Sequence, residues 1–227
     1  MAFSILLAAC AYIFGSLPTA NVLAKALRGV DLRNYGSRSV SASNAGELLG
    51  KWAMLAVGAG DALKGAAPVW VAQALGQSLS AQMAIGLAGV AGHNWSMFLG
   101  FKGGRGLASM IGVLLAMAQL ELLLFTVIAL LGLAFTVNPP VSLAVATAML
   151  PLWSATFERP APFLWGMSAI VVLVAAKRLE GNREPLPRHG KLGVLAYRLA
   201  LDRDTRARHE WVRRTHDEPG PAQEAAP

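Results

Sequence analysis

Long apolar runs, separated by short polar or proline-containing breaks, occupy most of the chain. An α-helix rises about 1.5 Å per residue, so about 20 apolar residues cross the hydrocarbon core of a bilayer. Runs near that length cover residues 3–27, 48–75, 81–99, 107–137, 141–157 and 162–176. The pattern predicts an all-α integral membrane protein built as a helix bundle.

The basic residues indicate how these helices cross the membrane. Lys and Arg concentrate in cytoplasmic loops, and here they mark residues 25–51, residues 102–105 and the chain after residue 177 as cytoplasmic. The chain between the last two stretches must therefore cross an even number of times. If it crosses four times as short helices, with the longest run divided at residues 119–121, the protein has seven transmembrane helices. If it crosses twice, the protein has five, which is the fallback. Either count places the amino terminus outside and the carboxyl terminus in the cytoplasm.

Composition supports a membrane environment and separates a tail from the body. The chain is 55% hydrophobic and 15% charged, against about 25% charged in soluble domains. We predict a membrane domain over residues 1–180 and a charged cytoplasmic tail over residues 181–227. Within the tail, Leu192, Leu195, Leu199 and Trp211 fall near helical spacing among arginines. A helix on the anionic inner leaflet and a plain soluble extension both fit that spacing, and residues 219–227 are expected to be disordered.

The charge and the cysteine count exclude several kinds of partner. The net charge of +7 comes from basic residues in short loops and at segment ends, where they orient the protein and attract anionic lipid rather than nucleic acid. The single Cys10 excludes an internal disulfide and a cysteine metal cluster. His93 has no second ligand at metal-binding spacing in the sequence. We therefore expect no metal site.

The block at residues 92–106 combines a glycine-rich turn with two cations at the mouth of an apolar segment. A glycine-rich turn at membrane depth must be covered by protein or line a wet cavity. The backbone of Gly103 and Gly104, the ammonium of Lys102 and the guanidinium of Arg105 suit a phosphate. The alternative is that both cations are ordinary positive-inside residues that close a helix.

The first basic loop is a second candidate for binding phosphate or polyol oxygens. Four serines and two arginines lie within residues 33–44, and these side chains are rich in hydrogen-bond donors. Arg33, Ser43 and Asn44 are candidates for phosphate binding. The alternative is a solvated loop of turn-forming residues in which Asp31 and Arg33 pair with each other.

Three further polar residues lie inside the membrane body. Asp61 and Lys64 are three residues apart, so they share one helix face, and each alone would be costly at mid-bilayer. We expect a mutual pair that faces the bundle interior, as part of either the structure or the site. His93 is the only histidine of this body, and a lone histidine is more often a packing residue than a base.

Five sequence features together resemble the bacterial acyl-phosphate:glycerol-3-phosphate acyltransferases of the PlsY type, over about residues 12–181. They are Gly-Ser-Leu-Pro-Thr at 15–19, Asp-Leu-Arg at 31–33, Gly-Ser at 36–37, Asp-x-x-Lys-Gly at 61–65, and the block at 92–106. The resemblance implies a seven-helix enzyme of the bacterial cytoplasmic (inner) membrane. Such an enzyme transfers an acyl group from acyl phosphate to glycerol 3-phosphate, which gives lysophosphatidic acid and phosphate without a metal or cofactor.

The resemblance also assigns roles to residues. Ser37 and Lys102 match the serine and the lysine of two family motifs, which makes them the candidate catalytic residues in a substrate-assisted reaction. The remaining matches are candidates for phosphate binding (Arg33, Ser43, Asn44, Gly103, Gly104 and Arg105) and for supporting roles (Asp61, Lys64 and His93).

Several positions depart from the family pattern. Ser39, Ser41 and Ser43 replace an Asn, a Gly and a Thr, and Glu47 stands where the family has an Arg; in the third motif, Val172 and Ala175 stand where it has a His and an Asn. Two interpretations therefore stay open. The chain is an active acyltransferase with a drifted phosphate site, or a catalytically silent paralogue that binds lipid, acyl phosphate or an active acyltransferase. An anion transporter fits less well, because the sequence has no inverted repeat.

Overall fold

The computed structural model describes residues 1–135, 138–181, 186 and 190–204. Throughout these residues the regular secondary structure is helical, as predicted. The α-helices are α1 Ala2–Gly15, α2 Thr19–Arg28, α3 Ala42–Leu49, α4 Lys51–Ala74, α5 Leu79–Asn94, α6 Leu107–Met117, α7 Gln119–Ala134, α8 Pro139–Ala148, α9 Leu150–Thr156, α10 Ala161–Glu180 and α11 Lys191–Leu201.

Several helix boundaries fall where the sequence provides proline or a glycine with positive φ. Pro18 separates α1 from α2, and prolines stand at the starts of α8 and α10, because proline disfavours helix at the residue before it. Gly50, at φ +96°, divides α3 from α4, a conformation that glycine adopts without steric cost. Local chemistry therefore divides the apolar runs into shorter helices.

The predicted apolar runs correspond to helices, but several of the runs break at positions that were not predicted. The run at 141–157 divides at Met149, between α8 and α9, and Gly50 separates α3 from α4 near the start of the run at 48–75. The run at 107–137 divides at Ala118, between α6 and α7, one residue before the predicted position. The first run, 3–27, is interrupted at residues 16–18 and gives two helices rather than one. The stretch from Ala2 to Arg28 and helix α10 are long and apolar enough to span a membrane, and α6 and α7 are shorter apolar helices.

Glycine lets the central helices approach each other closely. Helix α4 packs against α3, α5 and α6. A Cβ on Gly65 of α4 would overlap the backbone of Ser109, and one on Gly112 of α6 would overlap the backbone of Ala62. Small residues at helix crossings are typical of membrane bundles, in which close backbone packing replaces the hydrophobic effect as the cause of association. The bundle interior is completed by fully buried side chains such as Met83.

The tail folds back onto the bundle. Helix α11 packs against α8 and α10, and it contains three of the four apolar residues that the spacing argument singled out in the tail. Leu192 at its start is 84% exposed, whereas Arg198 in its last turn is buried. Trp211, the fourth of these apolar residues, and residues 219–227, which we expected to be disordered, lie outside the described residues.

Candidate active site

Asn44 holds the loop between α2 and α3 in shape. Its side-chain NH₂ donates to the backbone carbonyls of Leu32, Tyr35 and Ser39, at 3.3, 3.0 and 2.8 Å. Its carbonyl oxygen accepts from the backbone N–H of Ser37 at 3.3 Å. Asn44 is 1% exposed, so both ends of its amide serve the loop backbone. In the structure Asn44, which was predicted to bind phosphate, therefore positions Ser37.

Arg33 is paired with Asp31 at the start of this loop. Its Nε and Nη2 donate to the two carboxylate oxygens at 3.0 and 2.7 Å, and Lys25 lies 3.0 Å from the same carboxylate. The guanidinium of Arg33 holds the pKa of Asp31 below its usual value. The pairing that the sequence left open is present, and 38% of the Arg33 side chain is still exposed.

Asp61 forms a buried polar cluster with residues from three helices. Its Oδ1 lies 2.6 Å from Lys64 Nζ, accepts from the Thr19 hydroxyl at 2.8 Å, and lies 3.6 Å from Nδ1 of His93. Lys64 also donates to the Thr19 hydroxyl at 3.0 Å. The expected pair on one face of α4 is therefore present inside the bundle, and His93 joins it.

The glycines of the 92–106 block pack against the end of α5. A Cβ on Gly104 would overlap the imidazole of His93, and one on Gly103 would overlap the backbone carbonyls of residues 93 and 94. The N–H of Gly104 donates to the carbonyl of His93 at 3.0 Å. The sequence suggested that the backbone of these glycines is open to an anion. In the structure the end of α5 covers their Cα atoms instead, and the glycines permit this close packing.

Two cavities lie on either side of the α2–α3 loop. The larger, here called the serine cavity, has a volume of about 560 Å³. Its polar end is formed by Ser37, Ser39, Ser41, Ser43, Asn44, Glu47, Asp61, His93, Arg105, Arg178, Asp202 and Arg203. Met54, Leu107, Ala108, Ile111 and Leu143 give it an apolar wall. Its chemistry suits a molecule with an anionic head and an acyl chain.

The smaller cavity, here called the basic cavity, has a volume of about 280 Å³ and is strongly cationic. Its lining is Arg33, Asn34, Arg38, Val40, Lys102, Gly103, Lys177 and Glu180. Lys177 is almost fully buried, and its Nζ lies 3.0 Å from Glu180 and 5.6 Å from the ring centre of Trp95. Lys102 is exposed at the edge of this cavity. Its four cations and one carboxylate give it a net positive charge, which suits a compact anion.

The structure distributes the predicted site residues over both cavities. Ser37, Ser43, Asn44 and Arg105 line the serine cavity, and Arg33, Lys102 and Gly103 line the basic cavity. Asp61 and His93 line the serine cavity, whereas Lys64 and Gly104 line a much smaller space, which Asp61 and His93 also border. Ser37 and Lys102, which the family motifs placed at one phosphate, therefore face different cavities across the loop.

Sequence reasoning missed several residues of these cavities. Thr19 belongs to a motif that was quoted only for the resemblance, and Arg38 was counted among the arginines of the first basic loop without being named as a site residue. Lys177 was used only to place the tail, Arg178 only to place the tail and to align the third motif, and Asp202 carried no sequence signal. Val172 is 65% exposed and belongs to neither cavity lining, so the structure does not place this departure from the third motif at the site.

Comparisons with known proteins agree with this architecture. A family model described as glycerol-3-phosphate acyltransferase matches residues 5–185. A protein named glycerol-3-phosphate acyltransferase 5 from Dehalococcoides mccartyi is 38% identical over 230 residues, which cover 97% of this chain and 96% of the relative. A glycerol-3-phosphate acyltransferase from Geobacter sulfurreducens is 40% identical over 180 residues, which cover 79% of this chain and 92% of the relative.

Two solved structures share the fold. Both are crystal structures of PlsY (YgiH), an integral membrane glycerol 3-phosphate acyltransferase. The glycerol 3-phosphate form has a TM-score of 0.71 at 34% identity and the lysophosphatidic acid form 0.69 at 31% identity; each match covers 85% of this chain and 98% of the solved chain. The chain, which carries this integral-membrane fold, belongs to the glycerol-3-phosphate acyltransferase family.

Proposed function

We propose that this protein acylates glycerol 3-phosphate for phospholipid synthesis, with acyl phosphate as the acyl donor. The observation that carries the proposal is the serine cavity, in which hydroxyl and guanidinium groups meet an apolar wall. The product, lysophosphatidic acid, has a phosphate at one end and an acyl chain at the other. The polar end and the apolar wall match those two parts.

The two cavities account for the two phosphates of the reaction. The serine cavity takes the phosphate of glycerol 3-phosphate beside Arg105, with the acyl chain along Leu107 and Ile111. The basic cavity takes the phosphoryl group of the donor, which leaves as inorganic phosphate. The acyl carbonyl then lies at the loop between them, with Ser37 on one side and Lys102 on the other.

The reaction itself is a direct acyl transfer. A hydroxyl oxygen of glycerol 3-phosphate attacks the acyl carbonyl carbon, a new ester bond forms, and the bond from that carbon to the phosphate oxygen breaks. The leaving phosphate accepts the hydroxyl proton, so no basic side chain is required. Lys102 stabilises the negative charge of the departing phosphate, and the Ser37 hydroxyl orients the attacking group.

An assay of the purified protein in detergent tests this proposal. Wild-type protein is expected to release phosphate and lysophosphatidic acid from acyl phosphate and glycerol 3-phosphate. Replacement of a charged contact, Lys102→Ala, is expected to lower the rate or affinity roughly ten- to a hundredfold. The matched control is Lys51→Ala at the exposed start of α4, which should leave both unchanged. A wild-type protein that binds acyl phosphate without turnover would instead be the silent paralogue.

We further propose that both cavities open to the cytoplasm and that the protein is a multi-pass protein of the inner membrane, with its amino terminus outside. Ser37, Arg105 and Arg178 line one cavity, so all three should be reached from the same side of the membrane. Cysteine labelling in a Cys10→Ala background tests this. Ser37→Cys is expected to react only with reagents that reach the cytoplasm, and Ser80→Cys, at the start of α5, only from outside. Labelling of residue 37 from outside would contradict the orientation.

A further inference from the structure

The tail contributes a carboxylate to the serine cavity. Asp202, which follows the last residue of α11, lies with its Oδ1 3.0 Å from Nη1 of Arg105. The Arg105 and Asp202 side chains are only 13% and 26% exposed. Burial raises the pKa of Asp202, while the nearby charges of Arg105 and Arg178 oppose that rise. Asp202 is thus a largely buried acidic side chain that contacts Arg105 and is also attracted by the charge of Arg178.

Two buried arginines fix the tail in this position. Arg198 donates to the carbonyls of Leu179 and Glu180 at the end of α10, at 3.1 and 3.4 Å, and forms a two-bond pair with Asp204 at 2.6 and 3.0 Å. From the other side, Arg178 donates to the carbonyl of Leu199 at 2.7 Å. Asp202 lies between these contacts along the chain. Its approach to Arg105 is therefore part of a specific docking arrangement.

The tail helix lies beyond the part of the chain that the family model matches. That match ends at residue 185, whereas α11 begins at Lys191. The serines of the serine cavity, together with Arg105 and Arg178, belong to the matched part, whereas Asp202 and Arg203 do not. The carboxylate that pairs with Arg105 in the serine cavity, that of Asp202, therefore comes from outside the matched part.

We propose that Arg105 and Arg178 form an anion subsite within the serine cavity, and that Asp202 competes with the phosphate of a bound ligand for that subsite. The proposal rests on the proposed function only for the identity of the ligand, glycerol 3-phosphate. Carboxylates and phosphates both accept paired hydrogen bonds from guanidinium groups. Two anions in one subsite repel each other, so the phosphate enters as Asp202 leaves.

This competition has a measurable consequence for affinity. The apparent affinity for phosphate equals the intrinsic affinity of the open subsite multiplied by the fraction of molecules in which Asp202 is not docked. Removal of the carboxylate should therefore strengthen phosphate binding. A carboxylate that merely braces the tail would have no such effect, because its loss would leave the affinity unchanged or lower it.

The test uses the full-length protein in detergent with inorganic phosphate and glycerol 3-phosphate as separate probes. Asp202→Asn is expected to bind both about three- to tenfold more tightly than wild type, and Asp202→Glu to resemble wild type. The matched control is Glu158→Gln, which removes one exposed negative charge in the turn between α9 and α10 and should change neither affinity. Equal or weaker binding by Asp202→Asn would overturn the proposal.

A second variant and a second measurement test the proposal even if Asp202→Asn does not fold. Arg198→Gln retains Asp202 but removes the anchor of the tail, and it should also tighten phosphate binding. In wild type, inorganic phosphate should increase amide hydrogen exchange across residues 191–201. If neither change is seen, Asp202 does not compete. If both are seen in a protein without acyl transfer, the anion subsite is supported and the proposed function is not.

Discussion

Gly104 packs directly against the imidazole of His93, so a single methyl group at residue 104 would overlap the ring. The same imidazole has its Nδ1 3.6 Å from Asp61. The glycine block is thereby connected to the buried cluster that contains Lys64 and Thr19. Glycine at 104 is required for the position of a side chain as well as for the path of the backbone.

Gly104→Ala is therefore expected to be harmful although it adds only one carbon. Overpacking of a tight site costs about 1–3 kcal/mol, and displacement of His93 should also lower acyl transfer. Thermal unfolding and turnover of the purified protein measure both effects. Gly193→Ala is the matched control, because a Cβ there meets nothing within 4 Å and alanine favours helix over glycine. Equal behaviour of the two variants would contradict the packing argument.

The Asp61–Lys64 pair gives a prediction about stability. Both side chains are 4% exposed, and removal of one partner of a buried pair leaves an uncompensated charge that costs about 3–5 kcal/mol. Lys64→Met should therefore destabilise the protein strongly. Asp61→Asn combined with Lys64→Met should recover part of the loss, because the remaining charge is gone. Denaturant unfolding of the two single variants and the double variant forms a double-mutant cycle, and strictly additive effects would disprove the coupling.

The Asp31–Arg33 pair gives a prediction about pH. The pKa of Asp31 in the folded protein lies below its ordinary value of 3.8. The ionised carboxylate therefore stabilises the fold above that ordinary value, and this contribution is lost as the pH falls towards the lowered pKa. Wild type should unfold at a higher temperature than Asp31→Asn near about pH 7, with a difference that narrows below about pH 4. If the difference in unfolding temperature between wild type and Asp31→Asn does not change with pH, the charge of Asp31 does not contribute to stability.

The sequence predicted those features that depend on local chemistry. Pro139 and the polar residues after Ala118 mark helix boundaries, because proline and polar groups act where they stand in the chain. The pairing of Asp61 with Lys64 followed from a spacing of three residues on a helix. These inferences require only neighbours in sequence.

Long-range packing produced the features that the sequence did not predict. Asn44 contacts backbone carbonyls as far away as Leu32, and a polar side chain in a serine-rich loop gives no sign of which groups it will bind. Asp202 contacts Arg105 although the two residues are 97 positions apart in the chain. The division of Ser37 and Lys102 between two cavities likewise depends on the path of the loop in space.

Glu47 lies beside the turn that presents Ser37. Its Oε2 is 3.5 Å from the position that a Cβ on Gly36 would take, and Glu47 lines the serine cavity together with Arg105. In our assignment this cavity takes the phosphate of glycerol 3-phosphate, so the carboxylate at 47 opposes binding of a dianion. An arginine at the same position would replace repulsion with a charge-assisted hydrogen bond.

Glu47→Arg is therefore expected to raise the affinity for glycerol 3-phosphate about tenfold, or about 1.4 kcal/mol. Glu47→Gln, which only removes the repulsion, should give a smaller gain. Addition of Val172→His and Ala175→Asn should bring nothing further, because neither residue lines either cavity. The KM for glycerol 3-phosphate at saturating acyl phosphate measures each step. An unchanged KM in Glu47→Arg would show that the acceptor phosphate lies elsewhere, and a further gain in the triple variant would place residue 172 or residue 175 at the site.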